Sequence, residues 1–236
     1  MTPFWVYFAA RPLLWIVLTL AVFIFARWLH KRLGGLSVFH PVLISILVLV
    51  VLLSLTGTDY DTYFEGAQFI HFLLGPATVA LAVPLCDYFD RLRQIWLPVL
   101  VASFCGVITA IISASGIAWL LGAGDKTILT LAPKSVTSPI AIGIVEKIGG
   151  YPSMAAGLVL MTGILGCVLA PFVFRLFRIE DDVARGFALG MSAHGIGTAY
   201  AFGLSAAAGA FGGLAMGIAG LLTSFLLPLL VSLFGF

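Results

Sequence analysis

The sequence predicts an all-α polytopic membrane protein of about seven to nine transmembrane segments, several of them broken or re-entrant, with internal repeats and a transporter-like plan. Three observations carry this. The 236 residues are 61% hydrophobic and 9% charged, whereas a soluble domain carries roughly 25% charged residues, so the bilayer must be the solvent. Apolar runs of spanning length recur from end to end. Several of those runs are interrupted by proline, glycine and hydroxyl residues. We read one integral membrane domain, 1–236, with N-terminal helices in 1–68 and a core of interrupted segments in 69–236.

The first segment is 12–28, flanked by Trp5, Tyr7, Trp15 and Trp28, which suit the membrane interface. The loop after it carries Arg27, Lys31 and Arg32. The second segment is 41–56, and the loop 57–68 carries Asp59, Asp61 and Glu65 without a cation. Lys/Arg-rich loops stay cytoplasmic, so 27–35 reads as inside and 57–68 as outside, which puts the N-terminus outside. Segment three, 69–86, is interrupted by Gly75, Pro76 and Pro84, and Arg91 and Arg93 after it fit the inside. Segment four is 95–121, followed by a short GAGDKT connector. Segments five to eight are 127–145, 153–174, 186–204 and 211–235. Simple counting then puts the loop 175–185 outside, although it holds Arg175, Arg178 and Arg185. If segment five re-enters instead of crossing, that loop moves inside.

A repeat runs at an offset of 57 residues. LGPATV at 74–79 aligns with LAPKSV at 131–136. Gly106 aligns with Gly163 and then Gly220, and GILGCVLAP at 163–171 with GLLTSFLLP at 220–228. Internal repeats with interrupted helices are a transporter signature.

Several classes fall away. The net charge is +2 without a basic tail, so no nucleic-acid partner is expected. Cys86, Cys105 and Cys167 lie far apart, as do His30, His40, His71 and His194. No metal-ligand spacing results, and neither metal nor cofactor is expected.

The chemistry concentrates in two stretches. TLAPKSVTSPIAIG, 130–143, puts a lysine, four hydroxyls and two prolines into an apolar segment. Pro133 and Pro139 lack an N–H and disfavour helix just before them. A break is tolerated in hydrocarbon only where the backbone is buried in protein or lines a wet cavity. Pro139 suits the first turn of a new half-helix, with Ser138 as its N-cap. Lys134 stands beside that positive helix end, and a cation with helix-start amides makes an anion site. The other reading places Lys134 near the interface, snorkelling. GMSAHGIGTAYAFG, 190–203, holds His194 among Gly190, Gly195 and Gly197, with Ser192 and Thr198. His194 reads equally as a carboxylate ligand or proton carrier and as a neutral histidine bonded across helices. Glu146 and Lys147 read as an interfacial pair, with Glu146 as a second candidate for coupling. The glycines of AGAFGGLAMGIAG, 208–220, suit close helix packing.

The stretches LAPKSVTSPIAIGIVEKIGG and ALGMSAHGIGTAYAF…GAFGGLAMGIAGLLTSFLLPLL resemble the LrgB (also CidB) family of membrane proteins. The motifs PKSVTxPIA and SHGIGTA carry the resemblance, which extends from about residue 70 to the C-terminus; Ala193 stands where a serine is expected. The resemblance implies a bacterial inner (plasma) membrane protein, multi-pass, often paired with a small LrgA/CidA-like membrane partner, in homo- or hetero-oligomers. It implies two functions. One is transport of small monocarboxylates of the glycolate, glycerate, pyruvate or lactate type, with proton coupling. The other is a holin- or antiholin-like role in murein hydrolase activity and lysis. The residues favour the first: Lys134, Ser135, Thr137, Ser138 and Pro139 would form the substrate site with His194, Gly195, Gly197 and Thr198. An intramembrane enzyme is not expected, because His194 has no Asp or Glu partner in its own segment.

Overall fold

A computed structural model describes residues 12–35, 39, 41–80 and 82–234; Trp5 and Tyr7 lie outside them. The described residues form helices and no strand. In order these are α1 (Pro12–Arg32), α2 (Pro41–Thr56), α3 (Tyr60–Phe72), α4 (Leu74–Ala80), α5 (Ala82–Cys86), α6 (Phe89–Leu120), α7 (Asp125–Leu131), α8 (Ser138–Ile148), α9 (Pro152–Leu176), α10 (Asp182–Leu204) and α11 (Ala206–Phe234). Among the described residues, four helices are long and apolar enough to cross a membrane: Leu13–Arg32, Phe89–Leu120, Pro152–Leu176 and Ala206–Leu233. Pro41–Thr56 is apolar but shorter. Contacts divide the chain into two compact units, one within Met1–Val79 and one within Ala80–Phe236.

In the first unit α1 packs on α2 and α3. Trp15 is fully buried and meets Tyr63 edge-on at 5.7 Å. Thr19 donates to the Trp15 carbonyl at 2.7 Å and lies 3.0 Å from the Tyr63 hydroxyl. The Asp59 carboxylate accepts from the Thr62 N–H at 3.2 Å. Hydrogen bonds from Thr62 hold this exposed carboxyl below its ordinary value.

The second unit is built on three long helices. α6 would be about 48 Å long at 1.5 Å per residue, well beyond a hydrocarbon core of about 30 Å. It breaks at Ile95 (φ −113, ψ 17), because Pro98 cannot supply the N–H that the Gln94 carbonyl needs. The charged turn holding Asp90, Arg91 and Arg93 lies before that kink.

Between the long helices the chain doubles back twice. α7 and α8 form the first hairpin. The Thr130 hydroxyl donates to the Lys126 carbonyl and accepts the Tyr151 N–H at 2.9 Å. The Lys126 ammonium lies 5.8 Å from the centre of the Tyr151 ring. The start of α7 and the residues after α8 therefore sit together, at the N-terminal end of α9. The helix α7 begins at Asp125, so part of the expected GAGDKT connector is already helical.

α10 is the second hairpin. Asp181 caps its start, accepting from the Ala184 N–H at 2.8 Å. Ala193 (φ −125, ψ 15) and His194 (φ 43, ψ −131) break it in the middle. A straight helix would hold Gly186 and Ala201 about 22 Å apart. Instead a Cβ on Gly212 would lie 3.2 Å from the Gly186 oxygen and 3.5 Å from the Ala201 Cβ. Gly197 abuts the Leu189 carbonyl, with no room for a side chain. The 186–204 stretch, expected as a glycine-rich segment broken within 190–203, is thus two half-helices folded against each other. Glycine permits it: Gly186 and Gly190 press on the backbone at Ala208 and Gly212 of α11, the close approach expected of small residues between membrane helices.

The offset of 57 takes α7–α8 onto α10 and most of α6 onto α9. The LGPATV stretch does not share this likeness, being helical in α4 where 132–137 is unwound.

Candidate functional site

The tip of the first hairpin is the unwound stretch 132–137. Two tight turns carry its backbone, Lys134 N–H to the Leu131 carbonyl at 3.1 Å and Val136 N–H to the Pro133 carbonyl at 3.2 Å. Pro133 and Val136 are buried, as are Ala132 and Ser135. The break at the prolines is therefore enclosed in protein. The N-cap of α8 is Thr137, not Ser138. Its β-region backbone (φ −67, ψ 150) suits a cap, and Ser138 already has helical geometry ahead of Pro139; the Thr137 side chain makes no capping hydrogen bond.

Lys134 points into a groove of about 780 Å³ between α6, α9 and α10. Its ammonium donates to the Ser135 hydroxyl at 3.4 Å. It has no ion pair among the described residues, whose one such contact is Arg185 with Asp182. Thr109, Thr162 and Ser192 bring hydroxyls to the same groove. A lone cation facing several hydroxyls in an apolar enclosure can hold a small anion and hydrogen-bond its polar groups.

His194 lies at the tip of the second hairpin, on another side. It is 5% exposed, and its Nε2–H donates to the Val159 carbonyl of α9 at 2.9 Å. Gly163 makes room for the ring, since a Cβ there would lie 2.9 Å from its Cε1 and Nε2. Thr198 is buried and donates to the His194 carbonyl at 2.9 Å. Gly195 lies near the Met216 sulfur, and Gly197 is consumed by packing. Val136 clusters with Val159, so both tips meet α9 in the same region.

The structure thus brings Lys134 and Ser135 to the groove. It does not bring Thr137, Ser138, Pro139, His194, Gly195, Gly197 or Thr198 to its lining. Glu146 is exposed on the last turn of α8, and its neighbour Lys147 points elsewhere around the helix. Sequence reasoning missed Thr109 and Thr162, isolated hydroxyls on long apolar helices. The one signal for them is that each stands close to a glycine of the repeat, Gly106 or Gly163. No group of metal-ligating side chains occurs among the described residues.

The LrgB-like family profile matches residues 19–233. This chain belongs to the LrgB-like family. YwbG of Bacillus subtilis, an uncharacterized protein, is 40% identical over 91% of this chain and 95% of its own length. YxaC of the same organism, also uncharacterized, is 34% identical over 93% of this chain and 95% of its own. A Bacillus cereus relative named antiholin-like protein LrgB is 27% identical over 95% of this chain and 97% of its own. No solved structure matches. The LrgB-like chain is accordingly a membrane protein, helical and without strands in its described residues, with four apolar helices of spanning length among them.

Proposed function

We propose that this LrgB-like chain carries small monocarboxylates of the glycolate, glycerate, pyruvate or lactate type across a bacterial plasma membrane. The observation that carries the reading is Lys134, a cation without an acidic partner among the described residues, set at a buried helix break and facing hydroxyls across a groove. A lysine within a spanning region costs roughly 2.5–3.5 kcal/mol on insertion scales. An anionic ligand offsets that cost, and a lysine needed only for packing has no such return. The carboxylate would lie on the Lys134 ammonium, with Ser135, Thr109, Thr162 and Ser192 on its hydroxyl or keto end. Thr137 and Ser138 contribute through the start of α8, where N–H groups lack helical partners. His194 sets the second tip and is the candidate for proton coupling, ahead of the exposed Glu146.

The hairpin arrangement supports the same reading. Each hairpin is anchored at an opposite end of α9, and α6 with the first hairpin corresponds to α9 with the second at the 57-residue offset. On this reading, two oppositely directed repeats of helix plus broken hairpin would put a binding site where their tips converge.

The name of the Bacillus cereus relative favours a second reading, an antiholin-like protein, which would act with the small LrgA/CidA-like partner that the family resemblance implies. The comparisons back this reading more directly than transport, which none of the relatives' names quoted above mentions. One experiment separates the two. Labelled glycolate and pyruvate are offered to proteoliposomes holding the wild type, Lys134→Ala or His194→Ala, with and without a pH gradient. A carrier gives saturable uptake that falls by about tenfold or more in Lys134→Ala. Leak of unrelated solutes, or lysis phenotypes that survive Lys134→Ala, would establish the second reading instead.

A further inference from the structure

Behind the groove lies a second space. It is small, about 10 Å³, and is bounded by Pro133, Ser135, Val107 and Thr223 among others. That is room for about one water molecule. Groove and inner space share the wall formed by Ala110, Ser135 and Met191. Of these three, only Met191 has a long, flexible side chain.

Thr223 makes the inner space chemically unusual. It is 4% exposed on α11, and among the described residues its hydroxyl has no hydrogen bond. Its neighbour Ser224 donates to the carbonyl four residues earlier at 2.8 Å, the usual escape for a helix hydroxyl. Burying a hydroxyl without a hydrogen-bond partner is unfavourable, so it marks a place where a polar group is received. Ser135 faces the same space and accepts from Lys134. The polar surface therefore continues from the groove, through Ser135, to Thr223.

Met191 stands across that continuation. It packs on Gly106, where a Cβ would lie 3.1 Å from its Cγ and 3.4 Å from its sulfur. Glycine thus leaves it room to lie flat against α6, and its unbranched thioether can change rotamer without disturbing the backbone. At the 57-residue offset Met191 also corresponds to Lys134, so the groove is met by equivalent positions of the two hairpins.

We propose that Met191 is the gate between the groove and the Thr223 chamber, and that the passage for small polar anions continues through this chamber. The proposal rests on the carrier reading and deepens it. When Met191 swings off Gly106 the two spaces join, and a carboxylate held by Lys134 can extend its polar end to Thr223. Chain length in the substrate is then limited at Met191.

The test uses the full chain in proteoliposomes and a membrane-impermeant anionic methanethiosulfonate as probe. Thr223→Cys is made with Cys86→Ser and Cys105→Ala, and labelling is followed by intact mass. Native Cys105, which lines the groove, reports in the parent chain whether the probe reaches the groove. Thr223→Cys should label slowly with Met191 present and about tenfold faster or more with Met191→Ala. Met191→Leu should keep the slow rate, and Met191→Val serves as the opening variant if Met191→Ala does not fold. Equal rates at Thr223→Cys with and without Met191, whether both fast or both slow, would overturn the gate. Its fate is read apart from the carrier reading. Uptake with equal labelling removes only the gate. A gated Thr223→Cys without carboxylate uptake removes only the carrier.

Discussion

At the residue scale, Lys134 and His194 take different parts although the sequence presents them alike. Lys134 faces the groove with one weak hydroxyl contact. His194 is committed, its Nε2–H given to the Val159 carbonyl and its backbone at a positive φ of 43. The pair of prolines made the first break legible, because two missing N–H groups cannot be hidden in an apolar helix. The second break has no proline, and its glycines could equally have served packing, so its location at Ala193 and His194 was not legible. His194→Ala should lower thermal stability in detergent by about 1–3 kcal/mol, through the lost hydrogen bond and the emptied ring site beside Gly163. His194→Gln, which can still donate, should recover part of it. Equal stability of the alanine variant and the wild type would show that the Val159 contact holds nothing.

At the element scale, the hairpins depend on contacts that no periodicity announces. Thr130 stood in the quoted motif as one hydroxyl of four. The structure makes it the clasp of the first hairpin, bonded to Lys126 and to Tyr151. Thr130→Val keeps the shape and strands the Tyr151 N–H, a cost of about 1–3 kcal/mol. The effect should be local, with faster hydrogen exchange at 125–131 and 149–153 and little change in α11. In the second hairpin, Gly186→Ala drives a Cβ into the backbone at Ala208. Overpacking of this kind costs about 1–3 kcal/mol or more, and backbone cannot yield as a flexible side chain can. Gly217→Ala on α11, which meets nothing within 4 Å, should melt like the wild type and serves as the control.

At the scale of the second unit, the hairpins bear on a conflict that charge counting exposed. Seven or eight full crossings would leave Arg175, Arg178 and Arg185 on the outer face, against the preference of cations for the cytoplasm. Crossing and re-entry look the same in hydropathy, because each is an apolar run bounded by polar residues. What separates them is where the ends of the run meet, and that is a tertiary contact. If α7–α8 re-enters, α6 leads from Arg91 and Arg93 to the outer face and α9 leads back. Arg175 and Arg178 then fall on the inner face. The contacts agree. Tyr88, before α6, lies 6.4 Å from Phe211 near the start of α11, and Ala170 of α9 clusters with Ala208 of α11. At the other end, Trp119, Ile128 and Val231 line one apolar groove. The prediction concerns single cysteines in whole cells, at Gly124, Tyr151 and Glu180, probed with an impermeant thiol reagent in a background without Cys86 and Cys105. Gly124→Cys and Tyr151→Cys should label from outside, and Glu180→Cys only after the membrane is opened. Labelling of Gly124→Cys and Tyr151→Cys from opposite faces would mean that the first hairpin crosses. The two hairpins would then no longer be oppositely directed, and the convergence of their tips would cease to mark a transport site.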